Sequence, residues 1–154
     1  MILQVNHDSE AAIFSEDLLA VREVYARSSP GDGVAEVEFE FRRFMCVVLY
    51  EHESVAVIDR RVDAFWHCFM LFSRKYREFC DRAFGFFVDH QPRTAFVEVP
   101  AASVPRFVRA FEMRFGPLPN FWLQALAVGT PQEIRAGEEP RELLGDWSGW
   151  PGRE

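Results

Sequence analysis

Long apolar runs, paired cysteines and targeting segments are missing from this 154-residue sequence. No stretch approaches the roughly 20 consecutive apolar residues of a membrane-spanning helix. The N-terminus has no basic stretch followed by an apolar one, so no secretory signal is predicted. Three cysteines, an odd number, do not make a disulfide framework. We therefore expect a cytoplasmic protein with reduced thiols and no membrane partner.

The short motifs that identify common enzymes and cofactor sites are also missing. The sequence contains no GxSxG, no Walker-type loop, no GxGxxG and no compact CxxC or HExxH spacing. Its nine glycines fall in predicted loops and at predicted helix ends, so nucleotide chemistry has no support. These absences favour a protein that is not an enzyme, although they leave enzymatic activity undecided.

The net charge of −7 argues against general nucleic-acid binding, which depends on neutralising phosphates. The charge is unevenly distributed along the chain. Residues 1–59 carry 4 basic and 12 acidic side chains, residues 60–115 carry 10 and 6, and residues 116–154 carry 3 and 6. The basic middle segment could attract an acidic peptide or a phosphate. An ordinary solvated helix face would give the same imbalance.

Aromatic residues are abundant, with sixteen phenylalanines and four tryptophans in a chain that is 49% apolar. A length of 154 residues suits one domain, and a core built on aromatic rings is expected. We predict a single helical domain over residues 1–145 and a tail over 146–154. Trp147 and Trp150 of this tail either fold back onto the domain or contact a partner.

Hydrophobic periodicity predicts a mainly α (α+β) fold, a compact domain of five to six helices with one or two short strands. The candidate strands are Ile2–Val5 and Thr94–Val99. Residues 34–50 fit both a strand alternation and a 3.6-residue period, and the longer helical match favours a helix over 35–50. The other helices are predicted from Ser15, from Asp59, from Ser73 to Gly85, from Ser103 to Gly116, over Phe121–Val128 and briefly at Thr130–Glu133.

The segment 59–92 concentrates the chemically capable side chains, with two of the four histidines and two of the three cysteines. Asp63 and His67 are four residues apart, so they lie on one helix face, where the carboxylate can orient the imidazole. Such a pair serves a metal ligand or a general base. A histidine held by its carboxylate only for packing has the same spacing.

A metal site would require His67, Cys80 and His90 to converge, with Asp63 or Tyr76 behind them. On one straight helix His67 and Cys80 would be about 20 Å apart. The hypothesis therefore predicts that the chain reverses near Ser73. Zinc or iron would suit these ligands. Cys80 could instead be a nucleophile paired with either histidine, or an inert residue of the core.

Residues 62–92 carry several uncommon residue types at fixed spacing: Val62, Asp63, Trp66, His67, Tyr76, Phe79, Cys80, Gly85, His90 and Pro92. This pattern resembles the motif VDxxWHxxLxxTxxYxxFCxxxxGxxxHHxP of small bacterial proteins of the glycine-rich-domain-containing-like family. Ser73 stands at the motif's threonine, and Asp89 stands at the first of its tandem histidines. The glycine-rich region that names the family is absent. The resemblance implies one constellation of Asp63, Trp66, His67, Tyr76, Cys80 and His90, and it implies no particular reaction.

Two functions follow from the sequence. The first is a non-catalytic accessory domain that binds a protein or peptide partner, such as a companion to a peptide-modifying enzyme. The small size, the basic middle and the Trp-bearing tail favour it. The alternative is a small metal-binding protein or metalloenzyme that uses His67, Cys80 and His90, with Asp63 orienting an imidazole and Tyr76 as a polar contact or proton donor.

Overall fold

The computed structural model describes residues 2–51, 55–90 and 102–128, with side chains described from Asp8 to Ala127 in these ranges. The described residues form helices and connecting turns, and no strand occurs among them. The helices are α1 (Ile2–Ser15), α2 (Leu19–Ser28), α3 (Val34–Glu51), α4 (Arg60–Leu71), α5 (Ser73–Ala83), α6 (Ser103–Phe115) and α7 (Asn120–Val128).

The helix predicted after Ser15 is present as α2, but the predicted N-terminal strand and the predicted start of α2 were wrong. Ile2–Val5, predicted as a strand, belongs to α1, because that helix runs without a break to Ser15 and packs against α5. Ser15 therefore ends α1 rather than capping α2. Leu18 is the N-cap of α2 and makes no side-chain capping bond, while the carboxylate of the preceding Asp17 accepts the Leu19 N–H at 3.0 Å. A four-residue apolar pattern is too short to distinguish a strand from a helix, and tertiary contact decided it.

Several remaining predictions lie outside the described residues. These are the second strand at Thr94–Val99, the short helix at Thr130–Glu133 and the tail 146–154 with its two tryptophans. Within the described ranges, no helix combines the length and the hydropathy that crossing a lipid bilayer requires.

The predicted helix over 35–50 is confirmed as α3, and it is the centre of an aromatic core. Phe41 lies 5.1 Å from Phe65 of α4, measured between ring centroids. Phe44 lies 5.5 Å from Trp66 of α4 and 6.0 Å from Phe107 of α6. Tilted aromatic pairs of this kind each contribute about 0.5–1.5 kcal/mol beyond the burial of their area. Ring contacts thus fix α4 against α3.

The predicted break between α4 and α5 is also confirmed. Asp59 caps α4, with its carboxylate accepting the backbone N–H groups of Arg61 at 2.8 Å and Val62 at 3.2 Å. Phe72, with φ −87° and ψ 64°, leaves the helical conformation, and α5 begins at the next residue. The break lets α5 fold back onto α4. Ser73 is the first residue of α5, and its side chain makes no capping hydrogen bond.

Hydrogen bonds and ion pairs of charged side chains hold the C-terminal end of α1 against α3 and α5. The buried guanidinium of Arg42 donates to the carbonyl of Ile13 at 2.6 Å and to that of Glu16 at 2.8 Å, near the C-terminal end of α1. The Glu16 carboxylate pairs with Lys75, at 3.2 Å, and with Arg82, both on α5. These bonds connect the C-terminal end of α1 and the residue that follows it to α3 and α5.

Candidate metal centre

The turn after α5 carries His90 back to α4. Gly85 adopts φ 75°, a left-handed conformation that favours glycine, and its N–H donates to the Cys80 carbonyl at 3.1 Å. The chain then leaves the helix and runs through Val88 to His90. The sequence predicted this glycine stop, and the structure confirms it.

A buried chain of hydrogen bonds sets the position of this turn. The indole N–H of Trp66 donates to the Tyr76 hydroxyl at 3.0 Å, and that hydroxyl donates to the Val88 carbonyl at 2.6 Å. One tyrosine thus connects α4, α5 and the backbone two residues before His90. The resemblance of residues 62–92 to the family motif implied that Trp66 and Tyr76 belong together. It gave no signal for Val88, because the hydrogen bond uses a backbone carbonyl that any residue would supply.

The His90 ring lies flat on the indole of Trp66, with centroids 4.1 Å apart and 17° between the planes. Its side chain is only 7% exposed. His67 is also in contact with this ring, with centroids 4.7 Å apart and 51° between the planes. The stacked indole therefore forms the inner wall of a site that includes both imidazoles.

Asp63, His67 and His90 form a group whose candidate ligand atoms all lie within 4.8 Å of one another. Asp63 Oδ1 is 2.8 Å from His90 Nε2 and 3.9 Å from His67 Nε2. The predicted same-face placement of Asp63 and His67 is present, but the carboxylate is closer to His90. The structure therefore brings three sequence-predicted residues together, from one helix and one loop.

The buried Nε2 of His90 has no hydrogen-bond partner among the described residues. Asp63 Oδ1 lies 2.8 Å from it, and the two form an ion pair only when the imidazole is protonated. An unsatisfied buried polar atom costs about 1–3 kcal/mol, so such atoms usually have a ligand or a functional role. An ion between this nitrogen and the carboxylate would use both lone pairs.

The protonation of His67 suits metal binding. Burial lowers the pKa of His67 below its ordinary value of 6.5; Asp63 opposes this shift, and His90 adds to it. The imidazole is thus neutral at pH 7 and has a free lone pair, as metal ligation requires.

The spacing of the three atoms is close to what one ion requires. Two donors that each bind an ion at about 2.1 Å lie at most about 4.2 Å apart. The distances from Asp63 to the two imidazole nitrogens satisfy this limit. The third distance, between the two imidazole nitrogens, is within 4.8 Å. The His67 side chain is 44% exposed, so its ring has room to rotate towards an ion.

The structure places Cys80 in a different set of contacts from the two histidines. Cys80 is fully buried and is not in the Asp63 group. Burial raises the pKa of its thiol, although hydrogen bonds with the Val88 backbone and the Tyr76 hydroxyl act in the opposite direction. A protonated, enclosed thiol is a poor nucleophile and a poor metal ligand. Its neighbours associate Cys80 with the hydrogen-bond chain that holds the turn.

Two exposed rings lie just before the site in sequence. Phe86 is 54% exposed and Phe87 is 49% exposed, and both lie in the segment between α5 and His90. Phe87 also contacts Tyr76 edge-on, with ring centroids 5.4 Å apart. This pair of phenylalanines adds an apolar surface to the loop that carries the buried histidine.

Comparison with known proteins identifies a family without naming an activity. Residues 11–114 match the family described as UCP032817-like, and this range contains α2 to α5 entirely, with all three residues of the candidate site. The curated proteins gave no match, and neither did the solved structures. Since the matched range covers well over half of the sequence, the chain belongs to the UCP032817-like family.

Proposed function

We propose that this protein binds a divalent metal ion, zinc or iron, through Asp63, His67 and His90. The observation that carries the proposal is the meeting of two imidazoles and a carboxylate, with the Nε2 of His90 buried and without a hydrogen-bond partner in the part of the chain that the structure describes. Two histidines and one carboxylate are a donor set used by zinc hydrolases and by non-haem iron enzymes. Asp63 thereby replaces Cys80 in the ligand set that the sequence suggested.

Other features of the same segment support the proposal. The resemblance of residues 62–92 to glycine-rich-domain-containing-like proteins covers all three ligands and the residues that hold the turn. The three cysteines are free thiols in the interior, which suits the reducing cytoplasm that we propose as its location. Trp66 and Tyr76 act here as supports that hold His90 towards Asp63, since neither ring is in the ligand group.

The test is elemental analysis of protein purified without chelators from medium that contains zinc and iron. We expect about one equivalent of metal per chain, because the three donors converge on one position. His67→Ala should lose the metal while keeping the fold, since this side chain is half exposed. Leu71→Ala, an exposed change one turn further along the same helix, is the matched control. Wild-type protein that stays metal-free after supplementation would refute the proposal.

A second proposed function, an accessory domain for a protein or peptide partner, is supported by the two exposed rings Phe86 and Phe87. Phenylalanine is enriched in protein–protein interfaces relative to the rest of the surface. The test is co-purification of a stoichiometric partner from the native host. Capture should be lost when both rings are changed to serine and kept in the exposed control Leu123→Ser. Equal recovery with both variants would eliminate this function.

A further inference from the structure

We infer that a metal ion at Asp63, His67 and His90 keeps exchangeable coordination positions on its solvent side and binds a small anion there through an oxygen or nitrogen donor. The inference rests on the proposed metal binding and adds the ligand class of the site. It distinguishes a centre that exchanges ligands from one that only holds the fold together.

The three ligands are unequally buried, so the site has one side covered by protein and one side that faces solvent. His90 is 7% exposed and has Trp66 stacked on it, whereas the side chains of Asp63 and His67 are 35% and 44% exposed. An ion bound by all three would be covered by protein on the His90 side. Its opposite side would face the solvent that already reaches the carboxylate and the outer imidazole.

The number of ligands points in the same direction. Among the described residues, the group contains three donors. Structural zinc sites have four protein ligands, whereas catalytic sites have three and keep the fourth position for water or a substrate. Three ligands on one side of an ion therefore leave a position for an external molecule.

Charge selects the class of that molecule. A divalent ion held by one carboxylate and two neutral imidazoles retains a net charge of about +1. An anion, such as a carboxylate or azide, neutralises this charge, while a cation is repelled. The outer position is open enough for such a small ligand, because two of the three side chains that surround it are substantially exposed.

The experiment uses the full chain loaded with cobalt(II), whose visible absorption reports the number and type of its ligands. Azide is titrated into the loaded protein, and acetate is then added as a competing carboxylate. We expect a saturable shift of the cobalt bands at about one azide per metal, reversed by acetate. Leu71→Ala should give the same shift. His67→Ala should lose the bands themselves.

The possible failures separate the two proposals. In one outcome, cobalt binds stoichiometrically and its spectrum does not change with azide or acetate. This result would indicate a centre closed by a further protein ligand. That result overturns the open-site inference and leaves metal binding intact. An intense thiolate-to-cobalt charge-transfer band would also overturn it, because it would identify Cys80 as a ligand. Protein that takes up no cobalt, zinc or iron overturns both.

Discussion

The indole of Trp66 and the imidazole of His90 lie parallel, 4.1 Å apart, so that a core residue of α4 forms the wall of the candidate metal centre. The same indole contacts Phe44 of α3 in the core and donates its N–H to Tyr76. We therefore expect changes in the packing of α3 against α4 to alter the position of His90.

Trp66 is expected to matter for stability more than for ligation. Trp66→Ala removes a buried ring and should lower the free energy of unfolding by about 3–5 kcal/mol. Trp66→Phe retains most of the packing but leaves the Tyr76 hydroxyl without its donor, so the expected loss is smaller. Urea denaturation of the metal-free proteins measures both. Equal losses for the two variants would contradict the ring-packing explanation.

Tyr76→Phe tests the hydrogen-bond chain that positions His90. The change keeps the ring but leaves the Trp66 N–H and the Val88 carbonyl unpaired. Removing the support of a metal ligand typically lowers metal affinity about 10–100-fold, and we expect a loss in this range. Competition with a chromophoric chelator gives the affinity.

The matched control is Tyr25→Phe, which removes the hydroxyl of another buried tyrosine. That hydroxyl donates to Asp32, in the loop after α2, at 2.7 Å. It should lower stability through the lost hydrogen bond and leave metal affinity unchanged. If both variants lost affinity equally, the effect of Tyr76 would be a general consequence of lower stability.

Metal affinity is expected to depend on pH in the acid range. The pKa of His67 is lowered below 6.5 by burial, so the imidazole stays neutral from pH 8 down to about 6.5. Below that range protons compete with the metal, and affinity should fall by up to about tenfold per pH unit for each imidazole that titrates. Calorimetric titration between pH 5 and 8 checks this, and affinity that increased towards acid would contradict it.

The metal-free protein should show a related effect on folding. A histidine whose folded pKa lies below its unfolded value binds protons more readily when unfolded, so its neutral form contributes stability above about pH 6.5. This contribution is lost as the pH falls through 6.5 and then through the lower folded pKa. His67→Ala should therefore reduce the decrease in stability on acidification. An unchanged slope would show that other groups cause it.

Glu40 provides a stability test remote from the site. Burial raises the pKa of this carboxyl, while the Trp122 N–H, which donates to it at 2.6 Å, and Arg43 oppose the shift. Glu40→Ala leaves the indole N–H unpaired and should cost about 1–3 kcal/mol. Glu40→Gln keeps an acceptor and removes the buried charge, so it should cost less. Thermal denaturation of both variants measures the two losses of stability. A larger loss for Glu40→Gln than for Glu40→Ala would refute this explanation.

Gly85 is expected to resist substitution because of its backbone. A Cβ added there meets no atom within 4 Å, so the cost of Gly85→Ala comes from the left-handed φ of 75° alone, about 1–2 kcal/mol. Gly85→Asn should cost less, since asparagine tolerates this conformation better. Gly33→Ala is the control, because its Cβ would make only an ordinary contact with Glu36 at 3.8 Å. Comparable losses at both glycines would contradict the argument.

Sequence patterns were enough to predict the helices that have a long run of 3.6-residue periodicity or a clear stop residue. The 3.6-residue repeat of α3 outweighed a competing strand alternation, because it extended over more residues. The end of α5 at Gly85 followed from local conformational preference. The reversal near Ser73 was predicted from the requirement that His67, Cys80 and His90 converge; the chain does break there, but Cys80 is not in the group with the two histidines. Asp63 and His67 share a face because both lie on α4 one turn apart.

Only the tertiary structure decided which residues meet. Ile2–Val5 became helical within α1, whose bonds to α3 and α5 come from residues far along the chain. His90 approaches Asp63 because the Tyr76 hydroxyl holds the Val88 carbonyl, and the same contacts keep Cys80 inside the core. A residue's spacing along the chain fixes its position on a helix. The position at which a loop returns to that helix depends on buried hydrogen bonds and ring contacts between distant segments. The spacing of residues along the chain carries no information about these contacts.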